Sequence, residues 1–144
     1  MKDIRSFYNT CLYHSNAALH RSLARLASEH FRPLDLSPTQ GFILMTLKNA
    51  PGITVGDLAI VHQLDTTTIS RTLDKMEAKR LAKRDGTGRE VRVFITTKGL
   101  KLEADAQAAW HRLRLGYNDL LGEPQARQLA DSLTNAKAVL EGEQ

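Results

Sequence analysis

The residues best suited to chemistry lie close together: Thr66-Thr67-Thr68-Ile69-Ser70-Arg71, with Lys75 one helical turn further on. Short hydroxyl side chains let a helix approach a surface closely and can hydrogen-bond to base edges or phosphates. Arg71 is long enough to reach a guanine edge or a phosphate, and Lys75 is placed for a phosphate. A second basic feature follows at Gly86-Thr87-Gly88-Arg89, a flexible turn with a cation at its tip, flanked by Arg84 and Arg92. The implied chemistry is binding to a polyanion. Serine and threonine also favour helix starts simply as caps, but three consecutive threonines exceed what one cap uses. Ile69, Leu73 and Met76, interleaved with them, read as core.

Charge placement agrees. The 144 residues carry 20 Lys/Arg and 16 Asp/Glu, a net +4. Residues 62–98 alone hold nine cations against five acids, a local excess equal to that of the whole chain. Residues 99–144 are net −2, from five cations and seven acids. A basic excess permits nucleic acid as a partner, and an ordinary solvated face is the plainer reading of a charge run taken alone.

The elements that must position these residues are mainly helical. Tyr8, Leu12, Leu19, Leu23 and Leu26 predict one long helix over 4–31, ended by Phe31-Arg32-Pro33. Ser37-Pro38 opens a second helix, with Ser as N-cap and Pro at the first helical position. Thr54 and Asp57 start a third, short helix with Val55, Leu58 and Val61 as its apolar positions. A turn around 62–65 leads into a fourth helix from Thr66 to Arg80. Strands are expected at 81–85 and 91–96, the second with Val91, Val93 and Ile95 inward and Arg92 and Phe94 outward. Thr97 begins a long helix to about Leu121, striped by Leu102, Ala106, Ala109, Leu113, Tyr117 and Leu120. Gly122 and Pro124 lead into a last helix striped by Leu129, Leu133, Ala136 and Leu140. The fold class is therefore mainly α with a small β-hairpin. A helix pair followed by a hairpin with a basic tip is a winged helix-turn-helix plan, in which the second helix of the pair enters a major groove.

Several spaced elements agree in order: Leu36-Ser37-Pro38-Thr39-Gln40, Asp57-Leu58-Ala59, the run from Leu64 to Glu77, and Ile95-Thr96-Thr97-Lys98-Gly99. Together they resemble the multiple-antibiotic-resistance-regulator (MarR) family, along nearly the whole chain. The resemblance implies a homodimeric winged-helix transcription factor, most often a repressor, responding to small aromatic acids or oxidants. It implies a single domain over 1–144, with a DNA-binding core at 36–98 and dimerisation helices at 4–31 and 99–142. It places double-stranded DNA against Thr66, Thr67, Thr68, Ser70, Arg71, Lys75, Arg84, Arg89 and Arg92. Two positions depart from the family pattern. Thr87 stands where the wing usually carries aspartate, so the wing geometry is expected to be looser. Arg80 stands where glycine is common, and fits a helix continuing slightly longer while adding a phosphate contact.

The flanking helices carry more apolar stripe than the winged core needs, and an amphipathic helix must bury its face somewhere. A twofold dimer would use that face and present two reading helices to a pseudo-palindromic site. Trp110, Leu113, Tyr117 and Leu120 are interface candidates. Cys11, with His14 and Arg21 on roughly the same face, is a candidate redox or ligand sensor; the plainer reading of Cys11 is a small buried apolar residue. The resemblance also implies a ligand pocket, for which His14, Arg21, Trp110 and His111 are candidates. The five histidines show no metal spacing, and no catalytic constellation or phosphate-binding glycine loop appears, so no metal, cofactor or enzymatic activity is expected. One cysteine, the polar first residues and the lack of a membrane-length apolar run point to the cytoplasm. The rival reading is a winged-helix dimerisation or protein-interaction module that binds no DNA. Such a module would lack the basic hairpin and the exposed hydroxyl face.

Overall fold

The computed structural model describes residues 4–143, apart from the side chains of Arg5 and Arg89. In chain order the elements are α1 (Ile4–Phe7), α2 (Leu12–Phe31), α3 (Pro38–Asn49), β1 (Ile53–Thr54), α4 (Val55–His62), α5 (Thr66–Ala78), β2 (Ala82–Asp85), β3 (Arg92–Ile95), α6 (Thr97–Leu121) and α7 (Glu123–Leu140). They form two compact units, Met1–Trp110 and His111–Gln144, and α6 runs through the boundary. No helix among the described residues is long and apolar enough to cross a membrane.

The first unit begins with a departure from expectation. The single helix expected over 4–31 is two, because Cys11 is extended (φ −84°, ψ 113°). Asn9 and Thr10 are weak helix formers, and local bonds stabilise the break: Cys11 N–H donates to the Tyr8 carbonyl at 2.9 Å, and the Ser15 hydroxyl donates to the Asn9 carbonyl at 3.2 Å. α3 starts as its sequence indicates. Ser37 caps it in a reciprocal box with Gln40, each side chain accepting from the other's backbone N–H at 3.1 Å. Gly41 is needed there, since an added Cβ would overlap the buried Phe31 ring.

Ile43, Leu44 and Leu47 of α3, Leu58 of α4, Ile69, Leu73 and Met76 of α5, and Leu81 and Val93 of the hairpin are fully buried and make the core. α4 does not use its expected stripe: Leu58 and Ala59 are buried, whereas Val61 is 54% exposed and Ile60 75% exposed. A strict spacing of three drifts about 60° per step around a helix of 3.6 residues per turn, so Val61 has rotated off the core line.

The hairpin gains a third strand that the sequence pattern did not reveal. The order is β1-β3-β2, all antiparallel, with Ile53 opposite Val93 and Arg84 opposite Val93 on the other side. Val93 is buried, while Val91, Phe94 and Ile95 are all half-buried, so the expected strict alternation is blurred. Two residues are too short for a period-two signal, and β1 is held by the neighbouring strand and by Gly52 N–H donating to the Val93 carbonyl at 3.0 Å.

α5 ends sooner than expected, at Ala78. Arg80 N–H donates to the Glu77 carbonyl at 2.9 Å and Leu81 N–H to the Met76 carbonyl at 2.9 Å, the Schellman pattern. Arg80 occupies its left-handed position, φ +59°. The helix therefore does not continue through Arg80; the arginine stands in a conformation suited to glycine. The three carbonyls of this turn then bind the start of α6. Lys79 accepts from Lys98 Nζ at 2.9 Å, Arg80 from Thr96 Oγ1 at 2.6 Å, and Leu81 from Thr96 N–H at 3.1 Å. Thr96 Oγ1 also caps α6, accepting from Gly99 N–H at 3.0 Å. A Cβ at Gly99 would strike the Leu81 carbonyl.

Further along α6, Glu103 is fully buried and paired to Lys48 of α3 at 2.7 Å. A buried carboxylate is tolerated only with such a partner. In the second unit α6 turns at Gly122 (φ +87°) into α7. No α7 residue is buried, and Leu120, Val139 and Leu140 are each about four-fifths exposed.

The turn at Arg80 gives a direct test. An L-residue in the left-handed region costs roughly 1–2 kcal/mol, partly offset by the extra unfolded-state freedom of glycine. Arg80→Gly should therefore stabilise the protein by about 0.5–1 kcal/mol in urea denaturation. An unchanged or lowered midpoint would show that the arginine side chain supplies more than its backbone costs.

Candidate nucleic-acid interface

α4 and α5 are joined by Gln63, Leu64 and Asp65. Gln63 is left-handed (φ +53°), and Leu64 N–H donates to the Ala59 carbonyl at 3.0 Å, the same helix-ending pattern as at Arg80. Asp65 caps α5, its Oδ1 accepting from Thr68 N–H at 2.7 Å and its Oδ2 from the Thr68 hydroxyl at 2.9 Å. Those bonds, the backbone one first, hold the Asp65 carboxyl below the usual carboxylate range. Capping thus engages Asp65 and Thr68. Thr66 and Thr67 are exposed beside it, and Arg71 is exposed one turn later.

The nine cations of residues 62–98 separate into two sets. Four hold the protein together. Lys79 Nζ donates to the Asp35 carbonyl and to Gln40 Oε1, Lys98 to the Lys79 carbonyl, and Arg92 Nη1 to the Gly52 carbonyl at 2.9 Å. Arg84 Nε donates to Glu77 Oε1 at 2.6 Å, its Nη2 to Asp74 Oδ1, and its backbone N–H to Glu77 Oε1 at 3.1 Å. The Glu77 bond first, then the Asp74 bond, hold its pKa above the ordinary guanidinium value. Four others, Arg71, Lys75, Arg80 and Lys83, are exposed, and among the described residues their side chains make no ion pair or hydrogen bond. The ninth is Arg89, whose side chain lies outside the described residues. Its backbone sits in a single 3-10 turn, Gly88–Glu90, at the hairpin tip. Arg84 and Arg92, expected as contacts, are thus already engaged inside the protein. No local pattern signals this, because their partners are 7, 10 and 40 positions away.

Half-buried His62, at the end of α4, was no site candidate in the sequence. Its Nε2 lies 3.1 Å from Thr46 Oγ1, and the Thr46 hydroxyl donates to the Phe42 carbonyl at 3.0 Å. With that proton used, Nε2–H is the donor to Thr46 in the tautomer the network favours.

The residues expected to sense a ligand or oxidant are less coherent. Cys11 is exposed, not buried, and His14 stacks on Tyr8 with ring centroids 5.2 Å apart. Arg21 lines an open groove on α2 with His20, Ser22, Arg25, Ser28 and Arg32, which includes neither Cys11, His14 nor Trp110. Trp110 meets Phe42 edge-on at 6.5 Å, and His111 is exposed in the second unit. Among the described residues no group of His, Cys, Asp and Glu could hold a metal ion.

With this geometry in place, the MarR family model matches residues 36–84, which span α3, α4, α5 and β2. Over those residues the chain is similar to the MarR family. No curated protein matches the sequence. Solved structures with the same fold include a DNA complex of S. aureus MepR, with 22% identity, a TM-score of 0.76 and coverage of 89% of this chain and 97% of that one. A mutant E. coli MarR complexed with operator DNA has 24% identity, a TM-score of 0.77 and coverage of 90% and 96%. CouR from Rhodococcus jostii RHA1 bound to p-coumaroyl-CoA has 19% identity, a TM-score of 0.74 and coverage of 89% and 92%. At these identities the likeness establishes the winged-helix fold alone. The residues that act in it must be argued from this chain.

Half-buried His62 makes the α4–α5 helix pair sensitive to pH. Burial pulls its imidazole below the ordinary value of 6.5, so the unfolded chain binds its proton more readily than the folded one. Its contribution to stability is intact above pH 6.5 and is lost as pH falls below it. In chemical denaturation at a series of pH values, His62→Gln should flatten the decline on the acid side. An undiminished decline would show that burial at His62 is not its source.

Proposed function

We propose that this chain is a sequence-specific DNA-binding transcriptional regulator. It acts as a homodimer on a pseudo-palindromic operator, as a repressor relieved by a small aromatic ligand or an oxidant. The observation that carries the reading is the division of labour at the start of α5. Asp65 supplies the cap, so Thr66, Thr67 and Arg71 are left exposed together on one N-terminal helix face, with Lys75 a turn beyond. A helix presenting its first two turns in this way fits a major groove, its small hydroxyls allowing close approach and Arg71 reaching base edges. Arg71 reads bases, Lys75 neutralises a phosphate, and the hairpin tip with Arg89 meets the flanking backbone or minor groove. Exposed Arg80 and Lys83 extend the basic surface along the hairpin's base. The activity is binding, with no catalytic step.

The dimer is supported by apolar surface that each unit leaves uncovered. The first unit exposes Ile4, Phe7 and Leu12, and the second Leu120, Val139 and Leu140. A second copy would cover these side chains, and two reading helices would then address half-sites about one DNA turn apart. MepR and the mutant MarR were solved with DNA, and CouR with p-coumaroyl-CoA. By that analogy, relief of repression by an aromatic effector is the regulatory half of the proposal, with Cys11 as the site of an oxidant response.

The reading is tested by fluorescence anisotropy on DNA upstream of the protein's own gene, over a salt series and against unrelated competitor DNA. Arg71→Ala should weaken preferred-site binding by about 1–3 kcal/mol and narrow the gap to competitor. Lys75→Ala should weaken binding to all sequences alike and lower the log–log salt slope by about 1. Wild-type affinity in both variants would place the reading surface elsewhere.

A further inference from the structure

The reading helix carries an acid in an unfavourable place. Asp74 lies three residues after Arg71 and seven after Thr67, on the same exposed face of α5, and Glu77 follows three residues later. Two carboxylates beside a surface meant for phosphates would repel the ligand. The structure meets this with one residue of the hairpin. Arg84 extends from β2 across to α5 and divides its fork between the two acids, Nε to Glu77 and Nη2 to Asp74, while its backbone N–H adds a second bond to the same Glu77 oxygen. The side chain is only 26% exposed, so these are among the better protected charged groups of the hairpin.

We propose that Arg84 is a positioning residue for DNA binding and not a DNA contact. It cancels the charge of Asp74 and Glu77 and fixes the hairpin to the reading helix. This rests on the DNA-binding reading above. Three features carry it. Two donor nitrogens of the guanidinium and the backbone N–H are committed inside the protein. The anchor lies one residue before the tip-side end of β2, where Arg84 pairs with Val93 and Asp85 with Arg92, so it fixes the strand just beneath the tip. The tip beyond it bends at two left-handed glycines, Gly86 (φ +100°) and Gly88 (φ +74°), so Arg84 is the last side-chain anchor before the turn. A lysine could not replace this arginine, since a single ammonium cannot span two carboxylates with the planar fork geometry.

The test uses the full chain and has two readouts, one of which needs no DNA. Amide exchange of Gly86–Glu90 should be faster in Arg84→Ala, and nearly as fast in Arg84→Lys. Affinity for the upstream DNA should fall about tenfold or more in Arg84→Ala, most at low salt, where the uncancelled acids are least screened. Adding Asp74→Asn and Glu77→Gln to Arg84→Ala should recover most of the affinity, since the uncancelled acids are then gone. A drop of about one in the salt slope, with no recovery in the triple variant, would make Arg84 a phosphate contact and overturn the proposal. Unchanged exchange at the hairpin would also overturn it. If the wild type binds no DNA, the DNA-binding reading fails, and the exchange experiment alone decides whether the clamp exists.

Discussion

The structure depends on one short backbone turn, Lys79-Arg80-Leu81. It ends α5, begins the hairpin and receives the start of α6. Leu81 closes the helix by donating to Met76 and is itself buried, while three successive carbonyls accept bonds from Thr96 and Lys98. Because those bonds converge within three residues, α5, the hairpin and the root of α6 cannot move independently without breaking several of them together. Gly99 is the steric condition for the junction, since any side chain there would occupy the space of the Leu81 carbonyl. Arg80 is its strained member, and its backbone carbonyl contributes as much to the junction as its charge does to the basic surface.

Local sequence signals were readable wherever one element explained itself. Ser37-Pro38 fixed the start of α3, and Thr97 with Gly122 bounded α6 at the residues observed. The Thr66 start of α5 was also legible, and so was the clustering of Thr66, Thr67, Arg71 and Lys75 on an exposed face. What could not be read were properties set by partners distant in sequence. Arg84 and Arg92 look like any other cations in a basic hairpin. Only the fold brings Asp74, Glu77 and the Gly52 carbonyl to them. β1 has too few residues for any periodicity. Arg80 looked compatible with a longer helix because arginine is a good helix former, but the burial of Leu81 and the bonds to Thr96 outweigh that preference. Glu103 falls one position after Leu102 in the expected stripe of α6 and is nonetheless buried, because Lys48 is there to pair with it.

Net charge is a poor guide to the interface, and the disposition of each cation is a better one. Of the nine cations in residues 62–98, four are bonded to carbonyls and carboxylates of the protein, and four are exposed and, among the described residues, unengaged. The exposed set runs from α5 to the base of the hairpin. The engaged set, half-buried at Lys79 and Arg84 and exposed at Arg92 and Lys98, ties α5 and the hairpin to their neighbours. This separation, together with capping by Asp65, turns a winged-helix fold into a specific claim about which side chains face a ligand.

That claim is tested most directly by NMR of the isotope-labelled protein titrated with upstream DNA. The account predicts that amide and side-chain shifts concentrate at residues 65–75 and at the 86–90 hairpin tip, with Thr66, Thr67 and Arg71 among the largest. The engaged Arg84 and Arg92 side chains should respond less than Arg71. Shifts confined to α6 and α7, or an unperturbed α5 in the presence of bound DNA, would contradict it.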